Sequence, residues 1–410
     1  MATFEQASVL RTADARRTAG WAPWIMIIFL VLGEIAFVFA IRNGLAQRAW
    51  QIFLVNLVFW TGLSCGAVMF SAVQTITNAN WASSIKRLAE APVLFLPVAF
   101  LLFGVLFFGK EHLYIWTLEQ VPKKEAWLNT NFFFIRQGAS FFLIAAAAMA
   151  MVYVGIRSDR RMLERSPHQY DASAGEPYRR LHVILSTLYG IFFGFLLSLI
   201  AFDLIMSVDP HWYSTLFGAY YFIGSFFTGL AFVFIISFIA VRYLGMREYI
   251  QPLQLHNLGK MLLGFCLLTA DFFYAQFFIL WYGNIPEETG YILDRVRAMP
   301  FKPVAWTVLI ISFALPFVFL LSRRIKLRHG FMVILCSVIL IGMWLERFLL
   351  VVPSIWKNDR LPLGLLELFI TLGFFGIMGL CVWIFLHRYP LMPVSDPLFW
   401  KGLERISADE

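Results

Sequence analysis

Ten long apolar runs constrain this chain more than any other feature. They fall at 22–41, 51–76, 92–109, 131–156, 181–206, 217–244, 259–282, 304–322, 331–352 and 363–386. Each approaches or exceeds the roughly 20 apolar residues that a helix needs to cross a bilayer. In lipid every backbone N–H and C=O must find its partner inside a helix or a closed barrel. The runs are continuously apolar rather than alternating, so they predict helices and not barrel strands. The expected fold class is all-α, a polytopic membrane protein of about ten transmembrane helices. Hydrophobic residues make up 60% of the chain and charged ones 14%. No stretch between the runs is long enough to build a core of its own, which excludes a separate soluble catalytic domain.

An even number of spans returns both termini to one side. That side collects an excess of Lys and Arg, most of it from Arg157, Arg160, Arg161, Arg165, Arg179 and Arg180, which predicts cytoplasmic termini. The net charge of +8 has the same origin in short loops, so no nucleic-acid role follows from it. The polar arm before the first run is too long for a signal peptide and lacks the usual cleavage site, so the first span is expected to stay. The expected organisation is a cytoplasmic arm at 1–21, a peripheral helix at 22–48, four-helix bundles at 49–206 and 207–352, a last peripheral helix at 353–387 and a cytoplasmic tail at 388–410. A faint internal echo supports two bundles: Trp60-Thr61-Gly62-Leu63 in the second run resembles Phe227-Thr228-Gly229-Leu230 in the sixth, although small residues also recur at helix contacts for packing reasons.

The four cysteines, Cys65, Cys266, Cys336 and Cys381, lie inside apolar runs without a CxxC or CxxCH pattern and read as small packing residues. A bis-histidine haem needs facing histidines within the spans, whereas His112, His168, His211, His256 and His329 fall in loops and His182 and His387 at span ends. No metal site, haem or iron–sulfur cluster is therefore expected in this chain, nor a redox centre of its own.

Ionisable groups inside spans are costly and are the first functional candidates. Seven stand out: Glu34, Arg136, Asp203, Asp271, Glu346, Arg347 and Glu367. All but Asp271 and Glu34 are expected in the outer third, as the lining of a polar vestibule. His182, Ser186, Tyr189, Phe193, Leu196, Ile200 and Asp203 follow one helical stripe, with a cytoplasmic histidine and an outer acid joined by an apolar middle that cannot carry protons. Asp271, on a stripe with Tyr274 and Tyr282, or water would have to bridge the gap. The competing reading is structural: Asp203 pairs with Arg136, and Glu367 with Arg347. Adjacent Glu346 and Arg347 leave the helix about 100° apart and are expected to need separate partners.

Three segments carry a family resemblance. Leu258-Gly-Lys-Met-Leu-Leu-Gly-Phe followed by Asp271-Phe-Phe-Tyr-Ala-Gln276-Phe-Phe-Ile-Leu-Trp281-Tyr282-Gly283-Asn284-Ile285-Pro286-Glu287-Glu288-Thr289 resembles the hallmark stretch of NrfD/PsrC-type membrane subunits, in the form seen in alternative complex III. Phe202-Asp203-Leu-Ile-Met-Ser207-Val-Asp209-Pro210-His211-Trp212-Tyr213 is similar to their turn between the fifth and sixth spans. Lys123-Lys124-Glu125-Ala-Trp127-Leu128-Asn129, leading to Phe132-Phe133-Phe134-Ile135-Arg136, resembles the outer segment before their fourth span.

The resemblance implies a membrane anchor in the bacterial inner membrane that docks an outer iron–sulfur subunit and couples quinol chemistry to proton movement. By its length the chain resembles the smaller, ActF-type subunit of alternative complex III. Its expected partners are an iron–sulfur subunit, c-type cytochromes, a paralogous NrfD-like subunit, lipid and a terminal oxidase. Haem c and iron–sulfur clusters would sit only in those partners, and menaquinone is the candidate ligand here. The resemblance carries over Asp203, Asp271, Arg136 and His211 as matching polar positions, and the placement of charges in the spans alone adds Glu346, Arg347, Glu367 and His182. The proton-path candidates are then Asp203, Asp271, Glu346, Arg347, Arg136, Glu367, His182 and Tyr274, with Asp271 as central relay, Asp203 and Glu346 as outer relays and His182 as inner entrance. The rival readings are the quinol-oxidising paralogue, with a headgroup pocket near His112, Asp203 and His211, a secondary transporter, and a purely structural anchor.

Overall fold

The computed structural model describes residues 20–119, 121–165 and 172–408; His168 lies outside them. Ten helices among the described residues are long and apolar enough to cross a membrane, and we number them as spans: Ala22–Arg42 (1), Ala46–Ile76 (2), Ser83–Leu113 (3), Thr130–Arg165 (4), Tyr178–Val208 (5), Phe217–Tyr243 (6), Pro252–Gly283 (7), Lys302–Leu321 (8), His329–Ile355 (9) and Leu365–Arg388 (10). No strand occurs among the described residues. The chain is a multi-pass, all-helical membrane protein, as the apolar runs predict.

Span 2 is the axis. It packs against spans 3, 5, 6, 9 and 10, and 94% of its apolar window is buried. Small residues allow the closest of these contacts, because without side chains two helix backbones can touch. A side-chain carbon at Gly66 would overlap the Ser225 backbone of span 6, and one at Gly229 would overlap Gly66 and Ala67. The two echoed Thr-Gly-Leu segments thus sit at one helix contact. Spans 1 and 10 form a second such pair, Gly33 lying against Gly373 and Gly376 against Met26. The periphery is different: only 11% of the window of span 7 and 17% of that of span 8 is buried.

Two spans break their regular turn. Span 5 passes through a π-helical turn at Ala201–Ile205 and span 8 through another at Leu309–Ala314. Such turns insert an extra residue and re-aim the side chains beside it, often at functional sites. At the end of the bundle that carries the termini, the chain after span 10 folds back under the helices. Leu391, Met392, Val394, Phe399, Trp400 and Leu403 are buried there, and the Trp400 indole N–H donates to the Val394 carbonyl at 2.8 Å.

Candidate functional site: a closed half and an open half

At the end away from the termini, the first π turn holds Asp203 between spans 4 and 5. Its carboxylate accepts from Arg136 Nε at 2.7 Å and from the Trp127 indole at 3.0 Å, and also from the Gln137 amide. Arg136 lies over Trp127, 3.9 Å from its ring centre, and over Phe132. The expected Asp203–Arg136 pair is present, and Asp203 is fully buried. Just outside span 3, burial and the nearby Asp203 charge push the Tyr114 phenol well above its usual range; its hydroxyl donates to the Leu204 carbonyl. His112 and His211 are exposed, and neither they nor Asp203 line the two cavities described below. The span 5 stripe is a buried face from Ser186 to Asp203, and Tyr189 donates to the Cys65 carbonyl at 2.8 Å.

The second half is open. Spans 6 to 9 and the short helix Pro286–Val296 enclose a cavity of about 920 Å3, lined mainly by apolar and aromatic side chains. Asp271, Tyr274, Gln276 and Glu346 all line it, so the structure brings together three of the expected proton-path residues, Asp271, Tyr274 and Glu346. Asp271 is exposed and Tyr274 is 62% exposed, whereas Tyr282, on the same expected stripe, points away at 82% exposure and is not part of the lining. The end away from the termini is roofed by Trp212 stacked on Tyr291 at 3.7 Å. Arg295 covers the Tyr291 ring at 3.3 Å and donates to the carbonyls of Tyr291 and Leu350 and to the Ser354 hydroxyl. Burial lowers the Arg295 guanidinium from its usual value and raises the Tyr291 phenol to about 12, although Arg295 opposes the latter.

Two expected pairings are corrected. Arg347 does reach its neighbour: its guanidinium lies 2.7 Å from Glu346 and over the Tyr221 ring. The 100° between adjacent Cβ directions does not limit a side chain long enough to curl back. Glu367 does not meet Arg347. It pairs with Arg48 of span 2 at 2.8 Å and accepts from the Gly364 N–H at 2.8 Å, which caps the first turn of span 10. Glu34 is exposed on span 1.

At the terminal end a further charge cluster joins spans 2, 3, 4 and 5 to the returning C-terminal segment. Arg87 pairs with Asp159 at 2.6 Å and with Glu90. Asp159 also accepts from the Ser395 N–H and hydroxyl at 2.9 and 2.7 Å. Lys86 meets Asp396 at 3.1 Å. Burial alone would raise the Asp396 carboxyl, but Lys86 and the Leu398 N–H hold it below its usual range. His182 borders a cavity of about 60 Å3 beside these groups, room for a few waters, and its Nε2 is enclosed without a hydrogen-bond partner. The sequence reading missed Lys86, Arg87, Glu90 and Asp159, because it began the third span at 92 and ended the fourth at 156. The helices start at Ser83 and end at Arg165, so four charges assigned to loops are buried. The spacing of Arg87 and Glu90, three apart, was the available signal.

The two cavities share no lining residue. Among the described residues no group of His, Cys, Asp or Glu gathers as a metal site.

No curated protein matches this chain. The family model for polysulphide reductase, NrfD, matches residues 42–357, which takes in spans 2 to 9 and both halves of the site. On that match, together with ten membrane-crossing helices, the chain belongs to the NrfD polysulphide-reductase family.

Proposed function

We propose that this chain is the ActF-like membrane subunit of an alternative complex III, a quinol:electron-acceptor oxidoreductase of a bacterial respiratory chain. In this reading the terminal end faces the cytoplasm. Iron–sulfur and haem c subunits carry electrons from menaquinol toward a terminal oxidase, a paralogous NrfD-like subunit oxidises the quinol, and this chain supplies scaffold and a proton path. The family supports a membrane anchor for an iron–sulfur partner. One observation carries the proton path: the titratable groups collect in two chambers at opposite ends of the bundle, His182 with Lys86 and Asp396 in one and Asp271 with Glu346 in the other. Two half-paths separated by packed side chains are what alternating proton access requires.

The roles are then unequal. His182 takes up protons at the inner chamber, and Asp271 passes them to Glu346 and the outer end. Asp203, with three donors on its carboxylate, acts as a structural ion pair rather than a relay. A quinol bound there would first have to displace Arg136 and Trp127, which disfavours the rival in which this chain oxidises quinol near His112, Asp203 and His211. The test is proton yield per electron in vesicles holding the whole complex. His182→Gln and Asp271→Asn should each lower it while quinol oxidation continues; unchanged yields in both would remove the proton path and leave a scaffold.

A further inference from the structure

We propose that one face of span 1 is the docking seam for a transmembrane helix of a partner subunit, and that this helix carries a lysine or arginine at mid-membrane opposite Glu34. The inference rests on neither the proton path nor the large cavity.

Span 1 stands at the edge of the bundle, with 11% of its apolar window buried. Span 10 takes one side of it, through the contacts of Gly33 with Gly373 and of Met26 with Gly376. About a third of a turn round the helix from Gly33 runs an uncovered row, Ile27, Val31, Glu34, Val38 and Ile41, all of them exposed. The spacing of four, three, four and three residues is the repeat of a left-handed helix pair, the usual packing of membrane helices. The four apolar members are β-branched, and such stiff side chains lose little freedom on packing. A single charged residue in the middle of the row would fix the partner and its register.

Glu34 lies about 18 Å along the helix from Ala22 and about 12 Å from Arg42, at about 1.5 Å per residue. An acid at that depth almost always faces the interior of its bundle or a water-filled cavity. Glu34 does neither. It is exposed, lines neither cavity and has no hydrogen bond or ion pair among the described residues. Asp203, Glu346 and Glu367 each have an arginine of this chain, and Asp271 opens into a cavity.

The counter-charge of Glu34 therefore comes from outside the chain, and depth decides its source. Lipid amines and water-soluble subunits stay at the membrane surface, about 12 Å or more away, farther than a glutamate reaches. A second copy of this chain, related by a two-fold axis normal to the membrane, would set Glu34 against Glu34, and Arg136 and Arg347 are already paired. What remains is a helix that crosses the same membrane and brings a cation, which forms a charge-assisted hydrogen bond with the carboxylate. Span 1 precedes residues 42–357, so the seam lies outside the part of the chain that the family model covers.

The experiment places photoreactive benzoylphenylalanine at Val31 or Val38 of the full chain in its native host, with Phe39, on another side of span 1, as control. After irradiation the complex is purified and the adducts are sequenced by mass spectrometry. Val31 and Val38 are expected to yield one and the same partner helix, with a Lys or Arg between the two adduct positions, and Phe39 to yield lipid. Glu34→Gln, which keeps the side-chain shape, should cut the partner adduct about tenfold, as loss of a hydrogen bond between charged groups does. Glu34→Lys should cut it at least as far, and changing the partner's basic residue to Glu should restore it. Lipid adducts alone, adducts to a second copy of this chain, a partner helix without a basic residue between the two positions, or an adduct unmoved by Glu34→Gln would each overturn the proposal. Proton yield and quinol oxidation are not read, so its failure leaves the proposed function standing.

Discussion

The two halves of this membrane protein treat their acids in opposite ways. Between spans 4 and 5, Asp203 is fully buried and surrounded by Arg136, Trp127 and Gln137. Between spans 6 and 9, Asp271 is exposed within a large cavity, and Glu346 has its own neighbour Arg347 as counter-ion. A buried charge must be compensated or it unfolds its surroundings. The closed half therefore uses its acid to hold helices together, and the open half leaves its acid free for a ligand or a proton. An intramembrane carboxylate is thus not informative by residue type alone; its donors decide what it does.

The largest expected effect breaks the closed half. Asp203→Leu leaves the Arg136 guanidinium, 10% exposed, without its counter-ion, which costs about 3–5 kcal/mol. It should lower the thermal midpoint of the chain in detergent sharply, whereas Asp271→Asn should move it by less than about 0.5 kcal/mol. Similar losses in both variants would erase the distinction between the halves.

Glu367→Gln is a smaller test, at the contact that ties span 10 to span 2. It removes the charge that Arg48 and the Gly364 N–H share, and since Arg48 is partly exposed the loss should be about 1 kcal/mol. Denaturant titration in mixed micelles reads it, and a loss as large as that of Asp203→Leu would mean that Glu367 belongs to a wider buried network.

The smallest effect is a pH dependence at the terminal end. Asp396 has a folded value below its unfolded one. Its link to Lys86 therefore contributes fully above the unfolded carboxyl range near about 4 and is lost as pH falls through the folded value. Hydrogen exchange of residues 390–403 should rise on acidification in the wild type by no more than about 1 kcal/mol in protection. In Asp396→Asn it should already be raised at neutral pH and follow acid no further. Equal acid sensitivity in the variant would assign the opening to Asp159 and Ser395 instead.

Much of the fold was legible because its determinants are local. Lipid demands a helix wherever about 20 apolar residues run together, so the ten spans could be read directly. The Arg136–Asp203 pair was also readable, since both residues lie near the same end of neighbouring spans. Glu367 was not. Its partner Arg48 lies 319 positions away, at the start of a helix that hydropathy places five residues too late, and no periodicity links them. Lys86, Arg87, Glu90 and Asp159 were missed for a related reason: a window that averages hydropathy ends a span at the first charges, although charges neutralised by one another continue the helix inward.

By itself, then, the sequence determined how many times this chain crosses the membrane and which residue types it carries there, because backbone hydrogen bonding in lipid leaves one solution. Only the tertiary structure decided which charges meet. Side chains as long as arginine reach any of several neighbours, and the choice among them depends on how spans 2, 6 and 9 pack through residues as small as Gly66 and Gly229. The same packing closed one half around Asp203 and left the other open around Asp271.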